Sequence, residues 1–150
     1  MGGRRRQRSS EVALAIRGLL QASGEATHSL ADRLGVGITD ALALDHLLSH
    51  RDGLGPTELG HRLGIRSASA TTLVDRLEAA GHAERVPHPS DRRRQTVVAT
   101  GHAYEEVLGA LTPLLERVEA AAARLTPEQA EVTAGFLRDV TAAMRDYAAE

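Results

Sequence analysis

The segment Asp91-Arg92-Arg93-Arg94 concentrates more chemistry than any other stretch of this chain. Three consecutive guanidiniums on a short loop repel one another unless an anion relieves them. Each presents N–H donors in a planar fork that fits phosphate or guanine. An arginine on a narrow loop also suits the minor groove of DNA, which is about 6 Å wide and most negative where it is A·T-rich. Asp91 precedes Arg93 by two residues and is expected to pair with it, fixing one guanidinium in an outward pose. Upstream lies a second group, Arg66, Ser67, Ser69, Thr71, Thr72 and Arg76. Hydroxyls and guanidiniums at these spacings can read base edges and phosphates from a helix.

Other constellations are weaker. His46 and His50 are four residues apart, a spacing that can hold a metal ion, but the chain has no cysteine and the pair reads more plainly as solvated or core-edge histidines. His82, His88 and His102 could add pH dependence near the hairpin; phosphate contact or solvent exposure is the plainer reading. The chain has no glycine-rich phosphate loop, nucleophile elbow or distinctive carboxylate pair. No enzymatic activity, metal or cofactor is expected.

The elements that must carry these residues follow from composition and periodicity. At 150 residues and 42% apolar, the chain can bury one core, with helical extensions. The absence of cysteine excludes disulfides and thiol-based redox sensing. Three aromatics (Tyr104, Phe136 and Tyr147) are too few for a stacking platform on single-stranded nucleic acid. No apolar run approaches the roughly 18 residues of a membrane span, and the basic N-terminus lacks a secretory pattern, so a cytoplasmic location is expected. All basic residues are arginine, which reads as base composition rather than function. The net charge of −2 hides an asymmetry. Residues 1–10 carry four arginines and no acid, residues 51–102 eight arginines against six acids, and residues 103–150 four against nine. One surface of the molecule is thus expected to face an anion while the C-terminal third does not.

Residues 1–9 have no apolar period and read as a mobile basic arm. Val12, Ile16, Leu19, Leu20, Leu30 and Leu34 then form one helical stripe, ended by Gly35-Val36-Gly37. Thr39 is expected to cap a second helix with Leu42, Leu44, Leu47 and Leu48 as its apolar residues. Gly55-Pro56 opens a short third helix carrying Leu59 and Leu63. A fourth begins at Arg66 or Ser67 and runs to Ala80, with Ala70, Leu73, Val74 and Leu77 on one face. Ala68, Thr72, Asp75 and Ala79 fall opposite, flanked by Ser69 and Arg76. Residues 82–87 and 95–99 read as two strands around the charged turn. A long helix with Leu108, Leu111, Leu115 and Val118 follows. Thr126-Pro127-Glu128-Gln129 then starts a last helix bearing Val132, Phe136, Val140, Met144 and Tyr147.

Two short helices around a tight turn, followed by a hairpin, are in the order of a winged helix-turn-helix. Residues 38–100 resemble the MarR family of winged-helix transcriptional regulators. The likeness rests on PTELGHRLGI, on LVDRLEAAG at the end of the recognition helix, and on Pro89-Ser90-Asp91-Arg92-Arg93 in the wing. It extends through the flanking helices over nearly all of residues 10–148. The resemblance implies that Arg93 enters the minor groove with Asp91 as its positioning acid, and that Ser69, Thr72 and Arg76 face the major groove. The DNA-binding set is therefore Arg66, Ser67, Ser69, Thr71, Thr72, Arg76, Arg92, Arg93 and Arg94. Gly60, standing where the family usually has Ala, implies a looser third helix. Ala99-Thr100-Gly101 replaces the usual start of the helix after the wing, and Glu84 stands where basic residues are common.

The expected fold class is mainly α with a small β-hairpin wing, a winged helix-turn-helix plus a helical dimerisation region. Residues 10–36 and 101–150 are read as dimerisation helices and 37–100 as the DNA-binding lobe. The expected partners are double-stranded DNA and a second copy of the chain, with no membrane partner. The resemblance adds a small-molecule effector of unknown identity that relieves repression, with no ligand-binding residue assigned. The alternative is a winged-helix protein-interaction module or anti-repressor that has lost DNA binding, which the acidic C-terminal third favours.

Overall fold

The computed structural model describes residues 2–150, with side chains from residue 11 onward; the backbone of residues 2–9, expected as a basic arm, belongs to α1, and the side chains of that arm lie outside the described residues. In chain order the elements are α1 (Gly2–Leu34), α2 (Ile38–Ser49), α3 (Pro56–Leu63), α4 (Ser67–Ala79), β1 (Ala83–Pro87), β2 (Gln95–Ala99), α5 (Gly101–Ala122) and α6 (Pro127–Ala149). This is the expected class, mainly helical with one two-stranded antiparallel hairpin. The chain divides into two compact units, Met1–Ala110 and Leu111–Glu150.

The core of the first unit is built from α2, α3, α4 and β2, whose Leu44, Leu47, Leu59, Leu73, Val74, Leu77 and Val97 are fully buried. The four residues spaced as the apolar face of α4, Ala70, Leu73, Val74 and Leu77, are all buried. In α2 the buried set differs from the expected one. Leu44 and Leu47 are inside with Ala41 and Ala43, whereas Leu42 is turned out and Leu48 is half-buried. A helix alternating Ala and Leu has two apolar faces, and the packing of α1, α3 and β2 against it selects one. At its end α1 buries Ala31 and Leu34, but Val12, Leu19 and Leu20 of its stripe are exposed.

The helix starts are set mostly by backbone. Gly37, rather than Thr39, is the N-cap of α2, and no side chain closes it. The Gly35-Val36-Gly37 link delivers the chain in extended form one residue before Ile38, so Thr39 already lies in the first turn. Gly55 caps α3 with Pro56 at its first position, and Gly64 ends that helix in the left-handed conformation at φ 66°. Gly60 is buried, and a Cβ there would stand 3.1 Å from the Ala70 Cβ and 3.4 Å from the Ile65 carbonyl. The residue expected to loosen α3 instead lets α3 and α4 approach closely. At Gly53 φ is 86° and a Cβ would lie 2.7 Å from the Val97 carbonyl oxygen. This lets Leu54 exchange two backbone hydrogen bonds with Val97, 3.0 and 2.8 Å, alongside β2.

β1 and β2 pair in register from Ala83–Ala99 to Pro87–Gln95. The start of α5 is firm despite its departure from the family pattern. The Thr100 hydroxyl accepts from the Ala103 N–H at 3.1 Å and donates to the Gly81 carbonyl at 2.6 Å. The second unit holds the end of α5, including Pro113, and all of α6. Thr126 and Gln129 form the expected capping box, bonded at 3.2 and 2.9 Å. No residue of α6 is buried, and Val132 and Tyr147 are 73% and 79% exposed. Among the described residues no helix is long and apolar enough to cross a membrane.

Candidate nucleic-acid interface

The outer face of α4 is small and polar. Ala68, Ser69, Thr72, Asp75, Arg76 and Ala79 are all exposed, as are Ser67 and Thr71. The Thr71 and Thr72 hydroxyls donate to the carbonyls of Ser67 and Ala68, each at 3.1 Å. Their protons are thus committed to the helix and their oxygens remain as acceptors. Arg66 is the N-cap of α4 and Ser67 its first residue, and neither side chain closes on the first turn. The amide hydrogens of that turn therefore point outward beside Arg66, an arrangement that suits an anion.

Arg76, expected on the DNA-facing side of α4, lines one shallow depression with Thr39, Ile65, Ser69 and Thr72, and its side chain also has a partner within the protein. Its guanidinium donates twice to Asp40 of α2, Nε to Oδ2 at 3.2 Å and a terminal nitrogen to Oδ1 at 2.8 Å. Asp40 is only 7% exposed. Hydrogen bonding to this carboxylate pushes the Arg76 pKa up. The Arg76 side chain nonetheless remains 54% exposed, held at its Asp40 end. Sequence reading missed Asp40 because it lies 36 residues away.

A second arginine outside the expected set ties the helix to the wing. Arg85 on β1 donates to Asp75 at 2.7 Å and to Glu78, and its backbone N–H also donates to Glu78 at 3.0 Å. The Asp75 hydrogen bond raises the Arg85 pKa, with both acids adding attraction against the opposing effect of burial. Asp75 therefore serves to set the pose of the hairpin relative to α4. Glu84, the residue before, is exposed.

The turn between the strands is closed by its own backbone. His88 N–H donates to the Arg94 carbonyl at 2.9 Å, and Arg94 N–H to the Asp91 carbonyl at 3.0 Å. Asp91 does engage Arg93, but through the backbone: its Oδ1 accepts from the Arg93 N–H at 3.1 Å. An aspartate two residues ahead reaches the amide more readily than a long flexible side chain. Asp91 thus shapes the turn and leaves the Arg93 guanidinium unconstrained. Arg92, Arg93 and Arg94 are all exposed, and none enters an ion pair among the described residues.

The histidine readings resolve differently. His50 Nδ1 lies 2.7 Å from the His46 carbonyl oxygen, so this ring engages the backbone of its own helix. His82 is buried and meets Glu106 and His102, while His88 bonds Ser90 within the turn.

Residues 34–94, which span the end of α1 through the wing turn, match the sequence profile of the MarR family. The chain is 33% identical over 107 residues to YcgE, an uncharacterised HTH-type transcriptional regulator of Bacillus subtilis (strain 168), covering 71% of this chain and 69% of that one. Its fold is similar to that of a MepR mutant from a multidrug-resistant S. aureus clinical isolate, with a TM-score of 0.73, 16% identity and coverage of 89% of this chain and 96% of the other. It is also similar to another S. aureus MepR mutant, solved bound to an oligodeoxyribonucleotide, with a TM-score of 0.58, 17% identity and coverage of 89% and 97%. With the family pattern spanning the helix pair and the wing, and a relative alike over two thirds of its length, the chain belongs to the MarR family of transcriptional regulators.

Proposed function

We propose that this protein is a sequence-specific double-stranded-DNA-binding regulator that acts as a homodimer and represses transcription from a pseudo-palindromic operator. The observation that carries the reading is the joining of an exposed polar helix face to an arginine-tipped hairpin through Arg85. In this reading Ser67, Ser69, Thr71 and Thr72 of α4 address the major groove. Thr72, whose proton is committed, offers base edges an acceptor and a methyl group. Arg66 and the open first turn of α4 take a phosphate, Arg76 adds its exposed side chain, and Arg93 enters the minor groove with Arg92 and Arg94 on the flanking backbone. Support comes from the structural relative solved with an oligodeoxyribonucleotide.

Dimerisation is supported by apolar surface the chain leaves uncovered: Val12, Leu19 and Leu20 on α1, and Val132, Phe136 and Tyr147 on α6. Residues 10–36 and 101–150 are assigned to that contact. A twofold pair reads two half-sites about 34–36 Å apart. Relief by a small molecule rests on the family resemblance alone.

The test is capture of genomic DNA by the purified protein, followed by titration of the enriched duplex against salt. Two half-sites at one-turn spacing and a steep log–log salt slope are expected. Arg93→Ala should weaken operator binding by about 1–3 kcal/mol. Indifference to all duplex fragments would instead support the interaction-module reading.

A further inference from the structure

Three side chains unused by the proposed DNA contacts converge where the turn after α4 meets the start of α5. His82 Nε2 lies 2.8 Å from Glu106 Oε2, and His102 Nε2 lies 3.0 Å from the same oxygen. The two imidazoles stack, with centroids 5.7 Å apart and planes inclined by 6°. One ligand atom from each residue falls within 4.8 Å of the other two. His82 is buried, Glu106 half-buried and His102 exposed, so the cluster has a closed side and an open one.

We propose that His82, His102 and Glu106 form a binding site for a divalent transition-metal ion of the Zn²⁺ type. Metal–ligand bonds of about 2.0–2.2 Å in a tetrahedron separate neighbouring donor atoms by roughly 3.3–3.5 Å. The two observed contacts to Glu106 would open by about 0.3–0.7 Å, with the near-parallel rings turning about their side-chain bonds so that both Nε2 lone pairs meet the ion. Two backbone features hold the donors ready. His102 and Glu106 are four apart on α5 and share one face. His82 is fixed at both of its peptide groups, its N–H donating to the Leu77 carbonyl at 2.8 Å and its carbonyl accepting from the Thr100 N–H at 3.0 Å. Two imidazoles and a carboxylate, without thiolate, suit Zn²⁺, Co²⁺ or Ni²⁺. The exposed side at His102 leaves the fourth position to water.

The second nitrogen of His82 sets the expected strength. Coordination through Nε2 places the ring proton on Nδ1, which is enclosed without a hydrogen-bond partner. A histidine ligand lacking that support binds metal about 10–100-fold more weakly than a supported one. A site weaker than a structural zinc site follows. The ion joins the turn after α4 to the start of α5, and its binding does not depend on DNA.

The test uses the full-length protein, stripped with chelator, dialysed and titrated with Zn²⁺ alone by calorimetry at pH 7. A parallel titration with Co²⁺ reads coordination from the visible spectrum. One ion per chain, and tetrahedral cobalt bands, are expected. His102→Ala removes an exposed ligand with little demand on the fold, and Glu106→Gln keeps the shape of the third. Each should weaken binding about tenfold or more, whereas His46→Ala should leave it unchanged. Absence of saturable binding, binding undiminished in both variants, or binding lost in His46→Ala would overturn the proposal.

Discussion

Arg85 is a single side chain on which two elements depend. Its guanidinium is 21% exposed and engages Asp75 and Glu78, whereas its amide holds Glu78 as well. Charge-assisted hydrogen bonds contribute about 1.5–3 kcal/mol each, and the exposure of Asp75 screens part of that. Arg85→Ala should therefore lower the free energy of unfolding by roughly 1–2 kcal/mol in urea denaturation and weaken operator binding, although no DNA contact is assigned to it. Undiminished binding would mean that the hairpin needs no brace. His46 supplies a pH dependence. Burial outweighs the attraction of Asp45 and holds its pKa below the ordinary 6.5. The unfolded chain thus takes up the proton first as pH falls, so this contribution to stability is complete above about 6.5 and is lost toward the folded-state value. His46→Gln should flatten the stability profile on that acid limb, and an unaltered urea midpoint-versus-pH curve would contradict the assignment.

Between elements, the closest fit is that of α3 on α4 at Gly60 and Ala70. The Cβ of alanine at position 60 would demand a shift of a few tenths of an ångström, offset by its better helix propensity. A branched side chain cannot be offset in this way. Gly60→Val should lose roughly 1–3 kcal/mol by overpacking, read as a lower midpoint in thermal unfolding; a stability equal to that of the parent would show that the two helices separate freely. The Asp40–Arg76 pair joins α2 to α4 in the same unit, so the outer face of α4 is braced by α2 on one side and by β1 on the other. In α5, Pro113 removes one rung of the hydrogen-bond ladder close to the point where the two units divide. Nothing in the apolar period of that helix marks the interruption; the proline itself does.

For the molecule as a whole, apolar surface and charge are segregated in sequence. Basic excess lies in residues 1–10 and 51–102, and the acidic residues 103–150 form helices with apolar side chains left exposed. Such a helix is stable when a partner covers it, and in the proposed homodimer a twofold contact would supply that partner from a second copy of the chain. Truncation after Ala123 removes α6 and should convert the protein to a monomer in sedimentation velocity while residues 38–100 keep their helical signal. A truncated protein that still sediments as a dimer would move the interface elsewhere. The monomer should also lose the preference for two half-sites.

Local spacing determined a good deal by itself. Residues three and four apart share a helix face whatever packs on it, so the buried set of α4, the wing strands and the Thr126 start could be read directly. Turn chemistry was legible in kind but not in atom: Asp91 engages Arg93, through an amide and not a guanidinium. Only the tertiary structure decided which of two apolar faces α2 buries, that Arg76 belongs to Asp40, that Arg85 braces the hairpin, and that Glu106 gathers two histidines. Those pairings join different elements, Glu106 with His82 across 24 residues and Arg76 with Asp40 across 36. Periodicity within one element carries no information about what lies opposite it, because the partner is chosen by how the elements pack.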